Sequence, residues 1–446
     1  MATVTVDLYN PAGSTIKPMH SVNNGPAHKF AADQRITNLH HFQAAGIPYA
    51  RTHDAAFCAT YGGEHIVDIP NIFPNFDADP DDPASYDFDL TDDYLRVIEL
   101  GGSKVFYRLG NKIEHWRKKY GTLPPKDFHK WAVICEHIIR HYTEGWANDF
   151  HMNIEYWEIW NEPDLDPDDS THKRCWGGTK AEFFRLYDIA AKHLKACFPH
   201  LKIGGPAIAH DMQWTDDFLT QLTAPLDFFS WHIYAADPAK VLERAATVRS
   251  LLDKHGYTHT ESILNEWNYV RGWEGDDWTY SLRIEKSLKG AAFIASTMLA
   301  AQRSSIDNLM FYDARPGAMN SLFSTDCVDV RLKGYYPFLM FNALYQLKQE
   351  LPAVSDTASV YALAAGSPDK AAVMLSHYTD EDAAPAQPVT VRLTGLQPGK
   401  ATLVTVRLLD DTHDCDEIQR FSFSSDHLEL YLTLPLHASM LIELTT

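Results

Sequence analysis

The sequence predicts an α/β fold, a (β/α)8 TIM barrel followed by a small C-terminal β-sandwich domain. Eight short apolar or β-branched runs alternate with amphipathic helical segments over roughly 330 residues. No glycine-rich phosphate loop follows the first run, which favours a closed barrel over a doubly wound sheet. In the last hundred residues or so, long helical patterns are absent and alternating strand-like segments remain.

The predicted barrel strands share β-branched and aromatic residues bounded by turn signals. They cover residues 16–21, 47–52, 104–110, 154–160, 202–208, 227–234, 262–267 and 308–314. Apolar residues at helical spacing predict the helices between them. The clearest helices cover residues 124–146, 179–197, 238–256, 283–302 and 334–347. Prolines open the first of these helices, and Gly256 is typical of a helix end.

The change in pattern predicts two domains. We expect a catalytic barrel at residues 13–346 and an accessory sandwich at residues 347–446. The alternating N-terminal segment, residues 1–12, is expected to join the sandwich, because a first strand needs a partner sheet.

Charge and composition exclude several partners. The formal net charge is −20, from 59 acidic and 39 basic residues, and no cluster of lysines and arginines occurs. A nucleic-acid surface needs such a cluster, so we expect no nucleic-acid partner. The sequence contains no run of 18 apolar residues, so we expect no membrane span. The sequence leaves open whether the chain forms a homo-oligomer.

The N-terminus and the cysteines bear on compartment and cofactors. The segment "MATVTVDLYN" has no basic n-region and no apolar core, so we expect a cytoplasmic protein, although a removed export signal would be invisible. The six cysteines lie far apart, with no CxxC pair or Cys/His ligand spacing. We therefore expect no metal site and no cofactor.

Two glutamates are the strongest candidates for chemistry. Glu162 follows the fourth predicted strand and Glu266 ends the seventh, and each is preceded by asparagine. The C-terminal ends of barrel strands face the active site. A single glutamate there can be a salt bridge or a helix cap. Two together can act as a protonated donor and an ionised nucleophile, which is the requirement for cleaving a glycosidic bond.

The motifs around these glutamates resemble a known family. "WEIWNEPD" looks like the acid/base motif of clan A glycoside hydrolases, and other segments are similar to glycoside hydrolase family 39, which includes β-xylosidases and α-L-iduronidases. These segments are "ARTHDA", "FFRLYDIAAKHLKACFPHLKIGGPA", "FFSWHIYA" and "ILNEWN". The resemblance spans roughly residues 15–345. It implies that Glu162 is the general acid/base and Glu266 the nucleophile of a retaining double displacement.

The resemblance also implies a set of substrate-binding residues. Asn161 would bind the sugar's 2-hydroxyl, with a turn cap as the alternative, and His53 matches a sugar-contacting histidine. Tyr234 would steady Glu266, and His232 would lie close to Glu162 or the sugar. Arg51, at the end of the second strand, would keep Glu266 ionised or form a structural ion pair. Aromatics near the strand ends, Trp267 and Trp273 among them, are candidates for stacking on sugar faces.

The predicted function is a retaining glycoside hydrolase, an exo-acting β-xylosidase-like enzyme on plant-type oligosaccharides. Within the same mechanism, other sugar specificities stay open: β-glucosidase, β-galactosidase, arabinosidase or α-L-iduronidase-like activity. The alternative from another class is a carbohydrate-binding barrel without catalysis. Lys112 and Arg271 are candidate partners for a substrate carboxylate, and Glu64 and Asp68 belong to a loop that could wall the cleft.

Overall fold

Parallel strands close into a barrel in the computed structural model, which describes residues 2–28, 37–55, 66–147, 150–317, 319–396 and 399–446. Each strand pairs with the next one along the chain, and the last pairs with the first. Within the described residues the barrel strands are β2 (Ser21–Asn23), β3 (Tyr49–Arg51), β4 (Lys104–Leu109), β5 (Tyr156–Ile159), β6 (Lys202–Ile208), β7 (Phe228–Ala235), β8 (Glu261–Tyr269) and β9 (Asn308–Phe311). The predicted fold class is confirmed.

The first barrel strand begins later than its predicted position at residues 16–21. Only Ser21 to Asn23 pair in the barrel. Pro18 lies inside the predicted stretch and has no N–H to give to a ladder. Residues before it lead in from the other domain, where Thr15 bridges Gln349. The other seven predicted strands overlap the observed ones.

Helices cover the outside of the barrel. They are α1 (Leu39–Ala45), α2 (Ile69–Ile72), α3 (Asp89–Leu100), α4 (Phe128–Thr143), α5 (Lys180–Cys197), α6 (Met212–Gln221), α7 (Pro238–Lys254), α8 (Gly275–Ile284), α9 (Leu288–Ala301) and α10 (Tyr336–Leu347), with short 3₁₀ turns at Pro83–Ser85 and Lys333–Tyr335. Side-chain caps fix several starts, such as the capping box of Thr179 and Glu182 on α5. Across the described residues, no helix combines the length and apolar character that a membrane crossing requires.

The helix predicted at residues 283–302 corresponds to α9, which begins only at Leu288, and the first two predicted residues end the preceding helix α8. Ser287 caps α9 by accepting from the backbone N–H of Gly290, so the helix starts there rather than continuing from α8. A Cβ at Gly290 would lie 2.3 Å from the carbonyl oxygen of Ile284, so glycine allows this close turn. The helices α3 and α6 were not predicted.

Two sheets form the β-sandwich. One orders β11 (Ala353–Ser355), β1 (Ala2–Asp7), β14 (Gln387–Thr394) and β17 (His427–Leu434); the other orders β10 (Gln349–Leu351), β12 (Val360–Ser367), β13 (Lys370–His377), β18 (Ser439–Thr445), β15 (Thr402–Leu409) and β16 (Asp414–Phe423). Apolar residues such as Val4, Val391 and Ile442 fill the space between them. The N-terminal strand β1 pairs with β14 and β11. The boundary between residues 346 and 347 stays a prediction.

The sandwich packs against the barrel's helix layer. The hydroxyl of Ser296 on α9 donates to that of Ser376 on β13, 3.0 Å away. Tyr378 OH donates to the carbonyl of Ala236, just after β7, at 2.6 Å. These contacts lie on the barrel's flank, so the carboxyl ends of the strands stay available for a site.

Candidate active site

A cavity of about 670 Å³ opens at the carboxyl ends of the barrel strands. Its volume falls within the range of small-molecule sites, about 300–1,000 Å³. Both candidate glutamates line it, one following β5 and the other on β8. The described lining residues are His53, Ile113, His115, Asn161, Glu162, Leu165, Arg174, Ala209, His210, His232, Ile233, Tyr234, Arg244, Glu266, Trp273, Tyr312 and Met319.

The chain turns sharply into Glu162. Trp160 and Glu162 have φ values of 75° and 47°, in the left-handed region that non-glycine residues rarely adopt. The backbone N–H groups of these two residues donate to the carbonyls of Leu109, at 2.6 Å, and Ala207, at 2.9 Å. Such strain costs about 1–3 kcal/mol per residue and persists where the surroundings enforce it. The turn therefore fixes the direction in which the Glu162 side chain leaves the strand.

Glu266 lies among cationic and hydroxyl donors. Arg51 Nη1 is 2.7 Å from its Oε1, and Tyr234 OH donates to its Oε2 at 2.9 Å. His53 Nε2 is 3.6 Å from Oε1. Burial alone would raise the pKa of Glu266, but His232, His53 and Arg51 outweigh burial and lower it to about 2. Glu266 is therefore an ionised carboxylate at neutral pH.

Arg51 is the centre of a buried polar network beneath the cavity. Its Nε donates to Glu158 Oε2 at 2.7 Å, and its Nη2 donates to Asn161 Oδ1 at 2.7 Å. Asn23 Oδ1 accepts from Nη1 at 3.0 Å. Burial opposes the charge of Arg51, yet Glu158 and Glu266 outweigh it and raise its pKa. The network holds the guanidinium in one orientation against Glu266.

Glu162 has a different environment. Its side chain is 13% exposed, against 6% for Glu266. His232 Nδ1 is 2.8 Å from Glu162 Oε1, and the thiol of Cys175 donates to Oε2 at 3.8 Å. Burial lowers the pKa of His232, but Glu266 and Glu162 outweigh burial and raise it. Two carboxylates thus face each other, with a histidine between them that both favour in its charged form.

The two carboxylates are close. One oxygen of Glu162, one oxygen of Glu266 and a ring nitrogen of His232 all lie within 4.8 Å of one another. Three such atoms could hold a metal ion by distance alone. The guanidinium of Arg51, 2.7 Å from Glu266, opposes a second cation there by direct repulsion. The residues present therefore do not fit a cation well.

The structure brings most of the predicted site residues together. Asn161, His53, His232 and Tyr234 line the cavity beside Glu162 and Glu266. Arg51 lies directly below, in contact with Glu266 and Asn161. These residues come from four different barrel strands or strand ends, and the closure of the barrel brings them together.

Trp267 does not belong to this group, and its prediction as a substrate-binding residue needs correction. Its side chain is fully buried outside the cavity, with its ring 5.9 Å from that of Phe293 on α9 and 5.3 Å from that of Phe311. Neighbouring residues on a strand point to opposite faces. Because Glu266 points into the barrel, Trp267 points to the helix layer.

Trp273 takes the place expected of Trp267. It lines the cavity, is 55% exposed, and packs edge-to-face on Tyr234 at 5.0 Å between ring centroids. Trp273 was one of several aromatic candidates in the sequence, and nothing in the pattern separated them. Its position depends on the loop after β8, which no periodicity describes.

Sequence reasoning missed Glu158, Cys175 and Asn23. Glu158 is fully buried and accepts hydrogen bonds from Arg51 Nε and from the side-chain amide of Asn265. The available signal was an acidic residue between Trp157 and Ile159 in the predicted strand, four residues before Glu162. Cys175 carried no signal, because its contact with Glu162 depends on how the loop after β5 folds back.

The other cationic candidates have partners of their own. Lys112 Nζ lies 3.0 Å from Asp54 Oδ1. Arg271 lies outside the cavity, with Nη2 3.4 Å from Asp380 Oδ2 and its guanidinium 3.9 Å from the Tyr280 ring centroid. Asp68 accepts from Arg108 at 2.6 Å, away from the cavity lining. Glu64 lies outside the described residues.

The fold and the two facing glutamates define a class, the (β/α)8 barrels with a paired-carboxylate site at the strand ends. Residues 68–262 match Glycosyl hydrolases family 39. Over these residues the chain is similar to glycoside hydrolase family 39.

Two known proteins are similar in sequence to this chain over part of their length. The chain is 29% identical to a β-xylosidase of Geobacillus stearothermophilus over 196 residues, 39% of this chain and 35% of that protein. It is 35% identical to a β-xylosidase of Caldicellulosiruptor saccharolyticus over 145 residues, 32% of this chain and 26% of that protein. The chain thus spans about a third or less of each relative. A glucosidase structure from Croceicoccus marinus superimposes with a TM-score of 0.81 at 22% identity, covering 100% and 99% of the two chains.

Proposed function

We propose that this chain is a retaining glycoside hydrolase. The observation that carries the proposal is the short separation of Glu162 and Glu266, whose nearest oxygens lie within 4.8 Å. Retaining pairs stand about 5–5.5 Å apart, whereas inverting pairs stand about 6.5–9.5 Å apart to leave room for water. The ionised state of Glu266 and the separate environment of Glu162 support different roles for the two carboxylates.

In the first step Glu266 is the nucleophile. A carboxylate oxygen of Glu266 attacks the anomeric carbon, and the bond from that carbon to the leaving oxygen breaks. The Glu162 carboxylic acid gives its proton to the leaving oxygen, so the aglycone departs as an alcohol. Tyr234 OH and Arg51 Nη1 orient the attacking carboxylate through their bonds to its two oxygens.

In the second step Glu162 is the base. Its carboxylate takes a proton from a water, and the water oxygen attacks the anomeric carbon of the glycosyl–Glu266 ester. The ester bond breaks, Glu266 returns as a carboxylate, and the sugar leaves with its original anomeric configuration. His232 Nδ1, 2.8 Å from Glu162 Oε1, holds the side chain of Glu162 in position in both steps.

Asn161, His53 and Trp273 bind the sugar. Asn161 Oδ1 accepts from Arg51, which leaves the Nδ2 group to donate to a sugar 2-hydroxyl. His53 adds a ring nitrogen next to Glu266, 3.6 Å from Oε1. Trp273 presents an exposed ring at the edge of the cavity for a sugar's C–H face.

The substrate is a β-xyloside, attacked from the chain end. The two relatives named as β-xylosidases support this choice. A β-glucoside, β-galactoside, arabinoside or α-L-iduronide would use the same two glutamates, so the sugar is decided by assay. The cytoplasmic location and the oligomeric state stay predictions.

A panel of nitrophenyl glycosides with product stereochemistry tests this proposal. We expect turnover of nitrophenyl β-xyloside with the β-anomer as the first product, followed by proton NMR before mutarotation. An α-anomer as first product would overturn the roles of both glutamates. Xylo-oligosaccharides distinguish the mode of action, because an exo enzyme releases only xylose at early times.

Substitution of the nucleophile separates the enzyme from a carbohydrate-binding barrel. Glu266→Gln should abolish turnover, while the binding of xylose or xylobiose, measured by calorimetry, persists. Glu162→Gln should lower kcat by about 10²–10⁴-fold, the usual value of a general acid or base. If the unaltered chain binds sugars but hydrolyses none of the panel, the binding protein is the correct reading.

A further inference from the structure

One wall of the cavity is basic, although the net charge of the whole chain is negative. The net charge of the chain is −20. Among the described lining residues, Glu162 and Glu266 are the only carboxylates. The basic ones beyond the reacting centre, here called the basic wall, are His115, Arg174, His210 and Arg244.

The basic wall lies on the Glu162 side. Arg174 immediately precedes Cys175, whose thiol donates to Glu162. His210 gives its backbone N–H to Asp164, two residues after Glu162, at 2.8 Å. Arg244 on α7 donates from Nη1 to the carbonyl of His210 at 3.1 Å. If Glu162 protonates the leaving oxygen, as proposed above, the wall faces the departing aglycone.

The two arginines of the wall are not equivalent. Asp166 holds Arg174 in a bidentate pair, with Oδ1 2.7 Å from Nη2 and 3.0 Å from Nε, so most of that charge is compensated. Arg244 has no carboxylate within 4.0 Å in the described part of the chain. Asp164 is the carboxylate that acts on Arg244 from further away, and its own oxygens accept the backbone N–H groups of residues 209–211.

Basic side chains also surround His115, another residue of the basic wall. Burial lowers the pKa of His115, and four cationic side chains lower it further: Arg174, Lys119, His172 and Lys112. A half-buried arginine without a close carboxylate, in a wall of this sign, is costly unless an anion completes it. Arginine presents five donors in a fork that matches a carboxylate.

We propose that Arg244 and the adjoining basic wall bind a carboxylate on the aglycone. The substrates that this site selects are glycosides whose leaving portion is acidic, either a uronic-acid residue or an aromatic acid. The inference rests on the proposed hydrolase function and adds the chemistry of the aglycone to it.

A matched pair of aryl glycosides tests the proposal. The 4-(carboxymethyl)phenyl β-xyloside and its methyl ester have the same shape around the bond and similar leaving groups, because a CH2 group separates the carboxyl group from the ring, and they differ in charge. We expect the chain to prefer the acid by about 10- to 100-fold in kcat/KM, the range of a charge-assisted hydrogen bond. Arg244→Gln should bring the ratio of the two kcat/KM values close to one, and Arg244→Lys should keep part of it.

Lys240→Gln is the matched control. Lys240 lies on the same helix, pairs with Glu243 and is absent from the cavity lining, so the variant makes the same change in net charge without touching the wall. It should keep the preference of the unaltered chain. The preference should also weaken with added salt for the acid only. A ratio near one in the unaltered chain, or the same ratio in Arg244→Gln, overturns the proposal.

Binding measurements keep this test separate from the test of hydrolysis. If neither glycoside is turned over, the proposed β-xyloside specificity fails, and calorimetric titration with the same pair still decides whether the acid binds more tightly through Arg244. Two disaccharides, xylose linked to glucuronic acid and xylose linked to glucose, identify the source of the carboxylate. A preference for the acidic disaccharide indicates an oligosaccharide aglycone, and a preference limited to the aryl acid indicates an aromatic one.

Discussion

Arg51 Nη1 lies 2.7 Å from Glu266 Oε1, and both side chains are almost wholly buried inside the barrel. The same guanidinium also holds Glu158 at 2.7 Å. One buried cation therefore compensates two buried carboxylates. Removing one partner of such a buried group leaves uncompensated charge, at a cost of about 3–5 kcal/mol.

Arg51→Gln should raise the pKa of Glu266, because a cation that lowers it is lost. Glu266 would then be protonated at higher pH, so the acid limb of the kcat/KM profile should move to higher pH. The measurement is the pH–rate profile on a neutral aryl glycoside. Arg303→Gln is the control, since Arg303 pairs with Glu350 at 2.7 Å outside the cavity. An acid limb that stays in place would contradict the assignment of Arg51.

Tyr234→Phe removes the hydroxyl that donates to Glu266 Oε2 at 2.9 Å and keeps the ring that packs on Trp273. A hydrogen bond to a charged group contributes about 1.5–3 kcal/mol, so kcat should fall by roughly 10- to 100-fold. The melting temperature should change little. Tyr378→Phe, which removes a hydroxyl bonded to Ala236 on the barrel's flank, should leave kcat as it is. Equal losses in both variants would argue against a role at Glu266.

Trp273→Ala should raise KM with a smaller effect on kcat, because the exposed ring is proposed to stack on the substrate in the ground state and transition state alike. Aromatic contacts contribute about 0.5–1.5 kcal/mol beyond burial, which corresponds to a rise of up to about tenfold. Trp116→Ala is the control, since Trp116 is 73% exposed and does not line the cavity. An unchanged KM would remove Trp273 from the subsite.

Asp313→Asn should stabilise the chain at high pH. Burial raises the pKa of Asp313 to about 7, with Arg315 opposing, from a model-peptide value of 3.8. Between these values the folded state holds a proton that the unfolded state has released, so stability falls as pH rises, by about 4 kcal/mol in all. Asparagine removes this dependence.

Thermal unfolding at pH 4, 6 and 8 measures the effect. The melting temperature of Asp313→Asn should exceed that of the unaltered chain most at pH 8 and least at pH 4. Asp169→Asn, at an exposed position, should show no such trend. A difference that shrinks with rising pH would show that Asp313 is charged throughout in the folded state.

Local patterns predicted much of the barrel. Seven of the eight strands overlapped their predicted positions, because β-branched residues and turn signals act over a few neighbours. Pro18 displaced the first strand, and the cap at Ser287 placed the start of α9 five residues after its predicted position. In both cases a single residue set the boundary of the element, although the surrounding apolar pattern predicted a different boundary.

The two glutamates could be identified from local signals, since Asn-Glu occurs at two predicted strand ends and barrel geometry brings those ends to the same mouth. Tertiary structure alone decided which groups surround them. Glu158 contacts Arg51 below the cavity, and Cys175 contacts Glu162 from the loop after β5. Trp267 points away from the cavity. Arg244 has no close carboxylate in the described residues. The physical reason is distance along the chain: these contacts join segments that only barrel closure brings together, and no local periodicity encodes them.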